Sequence, residues 1–229
     1  MLNVEEFEKK EKELNKEAGV IWGRSFLDGI IDYKSYIDAP VKLLWILKEP
    51  HGNSYIDLRD YYSYPKGYYP RWMSTCGNLM RLSWAILENA QRKADIYNFS
   101  QIPKIDTKEC TIDGAFVLEY VAIININKHG GGTSTKKAII DREYNRKNVK
   151  EFLLKQIELI NPKIIINCHR VTNFINDQLG GNILNIINGD GYGFNNGRLI
   201  IDTGHPNVRG TITNKDYCNN ILNIIAMRI

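Results

Sequence analysis

Four short apolar runs constrain this chain more than any other feature: Val41–Leu47, Tyr120–Ile126, Lys163–Ile166 and Arg198–Ile201. Each is nearly continuous in branched or aromatic residues instead of alternating, which suits strands covered on both faces, as in a parallel sheet. Helical spacing lies between them. Leu79, Leu82, Ile86 and Ala90 follow the first run, and Leu153, Ile157 and Ile160 precede the third, where Pro162 closes the helix. Val171, Phe174, Ile175 and Leu179 follow the third run, with Gly180 and Gly181 as a stop. A last helix opens near Thr213–Asp216, a loose capping box, and carries Tyr217, Ile221, Ile224 and Ile225. Strands alternating with helices predict an α/β fold: a three-layer α/β/α sandwich around a central four-stranded parallel sheet.

The 229 residues are 43% hydrophobic and 24% charged, which is globular composition and excludes a disordered chain. The length predicts a single domain over residues 1–229, with a charged N-terminal helix at 3–18 and an aromatic loop insertion at 54–75. Val4, Phe7 and Leu14 are the expected apolar contacts of that helix. No apolar run approaches the roughly 18 to 20 residues that span a bilayer, and the charged N-terminus does not read as a secretory signal. Cys76, Cys110, Cys168 and Cys218 stand apart, with no Cys-x-x-Cys pair, so neither a zinc nor an iron–sulfur site is expected. Reduced thiols in a cytoplasmic protein are the simplest expectation. The net charge of +4 permits a basic patch for nucleic acid without requiring one.

Ligands of doubly wound sheets bind beyond the carboxyl ends of the strands. All four histidines fall there in sequence: His51, His129, His169 and His205 each follow one of the four runs and should share one rim. Three segments at these positions carry chemistry. Lys48-Glu49-Pro50-His51-Gly52 presents a carboxylate at the first strand tip, able to hold a water or face a developing cation; a tight turn with a solvated Glu is the plainer alternative. Asn125 to Ser134 ends a strand in amides, Lys128 and three glycines, either a phosphate cradle or a Gly-rich loop. Asp202 to Gly210 holds His205 between Gly204 and Pro206, with Arg209 and Lys215 near enough for phosphate. A fourth stretch, Tyr55 to Trp72, interleaves seven aromatics with Arg59, Lys66 and Arg71; it fits base stacking and a protein interface equally.

Taken in order, these segments resemble the uracil-DNA glycosylase superfamily, over most of the chain from the first strand to the last helix. Glu49-Pro50 resembles the family's acidic or amide residue before Pro, and Gly77-Asn78-Leu79-Met80 its Gly-x-x-Leu helix start. Asn125 resembles the Asn that reads the base, with Lys128 after it; Asn161-Pro162-Lys163 and His205-Pro206-Asn207 match two later motifs, Asn207 standing where Ser is usual. Leu47 replaces a usual Gly, and Tyr55, Tyr69 and Trp72 compete for the stacking aromatic.

The resemblance implies a DNA-base glycosylase acting on uracil or another modified base, with DNA as partner and no cofactor or metal. Glu49 and His205 would be catalytic. Pro50, His51, Asn125, Lys128, Asn207 and Arg209 would bind substrate. Two other readings stand beside it: a non-catalytic nucleic-acid-binding module on the same fold, and a metal-dependent hydrolase using the histidine rim with Glu49, Asp202 or Asp190.

Overall fold

A computed structural model describes residues 3–23, 25–50, 57–63, 73–92, 96, 98–102, 111–112, 115–131, 136–182, 184–207 and 212–227. The N-terminal helix α1 (Val4–Trp22) runs longer than its expected span; Asn3 and Glu6 form a reciprocal capping box at its start. Phe7, Ala18 and Trp22 make its buried face, whereas Val4 is exposed. β1 (Gly29–Ile30), α2 (Tyr33–Asp38), β2 (Leu43–Leu47), α3 (Leu58–Tyr62) and α4 (Met73–Arg92) follow. α3 lies within the segment expected to be an aromatic loop, and α4 begins inside its last residues. Next come a short hairpin, β3 (Thr111–Ile112) with β4 (Ala115–Phe116), then β5 (Val121–Asn125), α5 (Lys137–Tyr144) and α6 (Lys147–Ile160). The chain finishes with β6 (Ile164–Asn167), α7 (Thr172–Leu179), β7 (Asn185–Ile187), β8 (Asp190–Asn195), β9 (Arg198–Asp202) and α8 (Asn214–Ala226).

The main sheet has seven strands, ordered β1-β5-β2-β6-β9-β8-β7, not the four expected. β5, β2, β6 and β9 are mutually parallel and correspond to the four apolar runs. The additional strands are antiparallel and flank the parallel four, β1 on one side and β8 with β7 on the other. They escape a search for apolar runs for a physical reason. β1 has two residues, and β8 (Asp-Gly-Tyr-Gly-Phe-Asn) carries glycines where a buried strand would carry branched residues. The two hairpins do have a signal, Asn188-Gly189 and Asn196-Gly197. All four residues adopt positive φ, 51°, 83°, 50° and 72°, as a two-residue turn matched to strand twist requires.

Helices cover both faces of the sheet. Along β2, Leu43, Trp45 and Leu47 join a core with Leu79, Leu82 and Ile86 of α4 and Ile221 and Ile225 of α8. Leu44 and Ile46 point to the other face, against Phe7 of α1, Phe152 and Leu153 of α6 and Phe174 of α7. Every residue of β2 is buried, as the unbroken apolar run requires, and each such side chain contributes about 1.5–3 kcal/mol relative to exposure. Trp45 satisfies its indole by donating to Ser83 Oγ at 3.0 Å, which ties the central strand to α4.

Candidate functional site

The four parallel strands end at one edge, and the backbone register sets the site's scale. Leu47 pairs with Asn125, Ile46 with Asn167, and Asn167 with Asp202. Beyond β2 and β5 the two chains continue side by side: Ile126 N–H donates to Leu47 O, Asn127 N–H to Lys48 O, and Gly131 N–H to the buried Pro50's carbonyl at 2.8 Å. Glu49 is therefore held along the 125–131 segment. Its Oε2 accepts from Asn127 Nδ2 at 3.3 Å, and a Cβ on Gly131 would lie 1.8 Å from its Oε1, so only glycine admits the carboxylate there. Burial raises the Glu49 carboxyl above its ordinary value, with Asn127 and Lys48 opposing.

His205 follows β9 and is positioned from both core helices of that face. Asn78 of α4, fully buried, donates to Pro206 O at 2.7 Å, and Tyr217 of α8 donates to Gly204 O at 3.2 Å. Asn207 is half-buried, and its N–H donates to His205 Nδ1 at 3.0 Å. A backbone amide can only donate, so Nδ1 is the acceptor and the proton of the neutral ring sits on Nε2. Across β6 to β2, His205's strand is two strand spacings, about 10 Å, from that of Glu49.

Asn125 and Lys128 are built into a buried polar network. Asp28 Oδ2 accepts from Asn125 N (2.7 Å) and Asn125 Nδ2 (3.1 Å), and Asp28 Oδ1 accepts from Lys128 Nζ (2.6 Å) and Gln156 Nε2 (3.0 Å). Lys128 also donates to Gln156 Oε1 at 2.9 Å, and the Asp28 and Lys128 side chains are each 1% exposed. Burial pushes the Lys128 ammonium down, and Asp28 opposes the shift. In this arrangement Lys128 is a strut between the end of β5, the edge of the sheet and α6; its ammonium is committed to the core and does not face a substrate. One N–H of Asn125 is committed to Asp28, which leaves Asn125 Oδ1 as its open acceptor.

No family model and no curated protein matches this chain.

What distinguishes the edge is its unsatisfied polarity. Among the described residues, the buried side-chain atoms without a hydrogen-bond partner are Asn125 Oδ1, His169 Nε2, Asp202 Oδ1 and Thr203 Oγ1. All four lie at or just past the carboxyl ends of β5, β6 and β9. Unsatisfied buried polar atoms are rare, and their concentration at a ligand-prone edge marks a candidate site. By contrast, a cleft of about 850 Å³ between α1, α2 and the end of α6 lies at the opposite, amino ends of the strands. None of its lining residues follows a parallel strand, and Lys155 in its wall already pairs with Glu17 at 2.8 Å.

Of the other expected residues, His51 and Arg209 lie outside the described residues, as do Tyr55, Tyr64, Lys66, Tyr68, Tyr69, Arg71 and Trp72. Within the described part of the aromatic stretch, Tyr62 is buried in the core, and Arg59 pairs with Glu11 (2.7 Å) and Asp57 (2.5 Å). Neither side chain is presented for stacking or phosphate. No group of three His, Cys, Asp or Glu able to hold a metal occurs among the described residues. Asp190 instead pairs with Arg170 at 2.9 Å. Cys76, Cys168 and Cys218 are buried free thiols, pushed up by burial.

Of the supporting residues, Asp28 and Gln156 were not singled out in the sequence, and Asn78 and Tyr217 were named there only in a helix start and an apolar stripe. Asn78 and Gln156 had a signal: each stands four residues from an apolar member of a buried stripe, Leu82 and Ile160 respectively, so a polar side chain there must be satisfied inside. Asp28 had none, because its partners are 97 to 128 positions away.

Proposed function

We propose that this chain hydrolyses the N-glycosidic bond of a modified base in DNA, uracil being the first to test. The observation that carries this reading is the placement of Glu49 and His205 on one edge, about two strand spacings apart, with His205 Nδ1 occupied by a backbone amide. The gap suits a flipped nucleotide lying between a carboxylate on the sugar side and an N–H donor on the base side. In the reaction, the bond from the sugar's anomeric carbon to the base breaks and its electron pair leaves with the base. His205 Nε2–H donates to the carbonyl oxygen on which that charge collects. Glu49 opposes the positive charge developing on the sugar, orients a water and takes its proton as the oxygen adds to carbon. Partial burial makes Glu49 a stronger base than a solvated carboxylate, which supports that role. Lys48 and the exposed Lys136 and Lys137, near the same edge, suit a phosphate backbone.

The test is a cleavage assay on single- and double-stranded oligonucleotides carrying uracil, hypoxanthine, xanthine and other modified bases. Abasic product is expected, reduced by about 100-fold or more in Glu49→Gln and in His205→Ala. Failure of the whole base panel to yield abasic sites would overturn the reading. The binding-only alternative draws no support from Arg59 or Tyr62, both committed internally.

A further inference from the structure

The corner that leaves β6, His169-Arg170-Val171, stands apart among the described residues. Arg170 adopts φ 54°, and among the described residues the other non-glycines at positive φ are all asparagines, the type that tolerates it. An arginine there is a strained choice, and the surroundings hold it: its guanidinium pairs with Asp190 at 2.9 Å and lies near the Asp202 carboxylate. The bend turns His169 inward against Phe174, with ring centroids 5.5 Å apart, and leaves it 5% exposed.

His169 Nδ1 accepts the N–H of Val171 at 3.1 Å. The proton of the neutral ring is therefore on Nε2, a buried donor with no partner. The ring stays neutral because burial, with Lys48, Lys137 and His205 nearby, holds its value down to about 3. One strand over, Asp202 keeps Oδ1 buried and unpartnered; burial pushes its carboxyl up to about 7, so above that pH Oδ1 is an acceptor. Asp202 and Asn167 are register partners, so His169 follows two residues after Asp202's neighbour, and Lys137 stands close to both side chains. A buried N–H donor and a buried oxygen acceptor thus lie past the ends of neighbouring strands, about one strand spacing apart, beside the crevice between β2 and β6 where the strand order reverses.

From this geometry we infer that His169 and Asp202 read the lactam edge of the bound heterocycle, His169 Nε2–H donating to its carbonyl oxygen and Asp202 Oδ1 accepting its ring N–H. Asn125, with one donor committed to Asp28, adds an acceptor through Oδ1. The inference rests on the proposed reading of the site as a base pocket and assigns specificity to residues outside the Glu49–His205 pair.

Binding of free bases tests it without turnover. At pH 8.5, 1-methyluracil, hypoxanthine and xanthine serve as lactam probes and 1,3-dimethyluracil as the control whose ring N–H is blocked. Imidazole nitrogen resonances of the unmodified chain report on His169 directly. A bound lactam should shift the His169 Nε2–H signal, and 1,3-dimethyluracil should bind about tenfold or more weakly than 1-methyluracil. His169→Asn keeps an acceptor for the Val171 amide but deletes the Nε2–H, and should lose about tenfold in lactam affinity. His169→Gln, which returns an N–H near the Nε2 position, should recover part of it. A His169 signal unmoved at saturating lactam, or equal affinity for 1-methyluracil and 1,3-dimethyluracil, would overturn the inference while abasic product in the cleavage assay left the glycosylase reading standing. Failure of every lactam to bind, together with no cleavage of any base, would overturn both.

Discussion

At the residue scale, the most sensitive position is one without a side chain. Gly131 lets the Glu49 carboxylate lie over the backbone of the neighbouring segment, where a Cβ would stand 1.8 Å from Oε1. Gly131→Ala therefore forces the carboxylate out of its pocket without straining the main chain. Cleavage should fall by about 100-fold while the unfolding midpoint stays near that of the parent; a variant as active as the parent would show that this carboxylate position is not used. The sequence pointed to Glu49 and His205 because both follow an apolar run by a few residues. It did not distinguish Gly131 from Gly130 or Gly132, since what forbids a Cβ at 131 is a side chain 82 positions earlier.

At the scale of elements, the end of β5 depends on a buried ion pair. Lys128 and Asp28 are each 1% exposed, and Gln156 of α6 completes their hydrogen bonding. Lys128→Met leaves the Asp28 carboxylate buried without its cation and should cost about 3–5 kcal/mol, read as a lower urea midpoint. A loss below about 1 kcal/mol would mean that the pair is not a strut. In the sequence, Lys128 in a Gly-rich segment after a strand looks like a phosphate ligand; burial gives it the other role. α8 shows the opposite case. The capping box of Thr213 with Asp216 depends only on local spacing and forms where the sequence placed it.

For the whole molecule, two groups at the strand ends make stability depend on pH in opposite directions. Burial holds the Asp202 carboxyl up to about 7 against an ordinary 3.8, so the folded chain keeps a proton that the unfolded chain releases. Its contribution is full below the lower value and is lost as pH rises through about 7. His169, held down to about 3 from 6.5, works the other way: it favours folding above 6.5, and that contribution is lost as pH falls toward 3. Asp202→Asn should remove the first slope, so the variant gains stability relative to the parent between pH 5 and pH 8.5. Urea midpoints across that range check it, and a constant difference between the two proteins would refute the assignment. At this scale the division between sequence and structure is plain. Unbroken apolar runs cannot face water on either side, so the amino-acid order alone determined a parallel core with helices on both faces, and it placed His129, His169 and His205 just past the carboxyl ends of their strands. The antiparallel edge strands, the strained Arg170 corner and the pairing of Lys128 with Asp28 depend on residues far apart in the chain. Only folding brings those groups close enough for sterics and electrostatics to act between them.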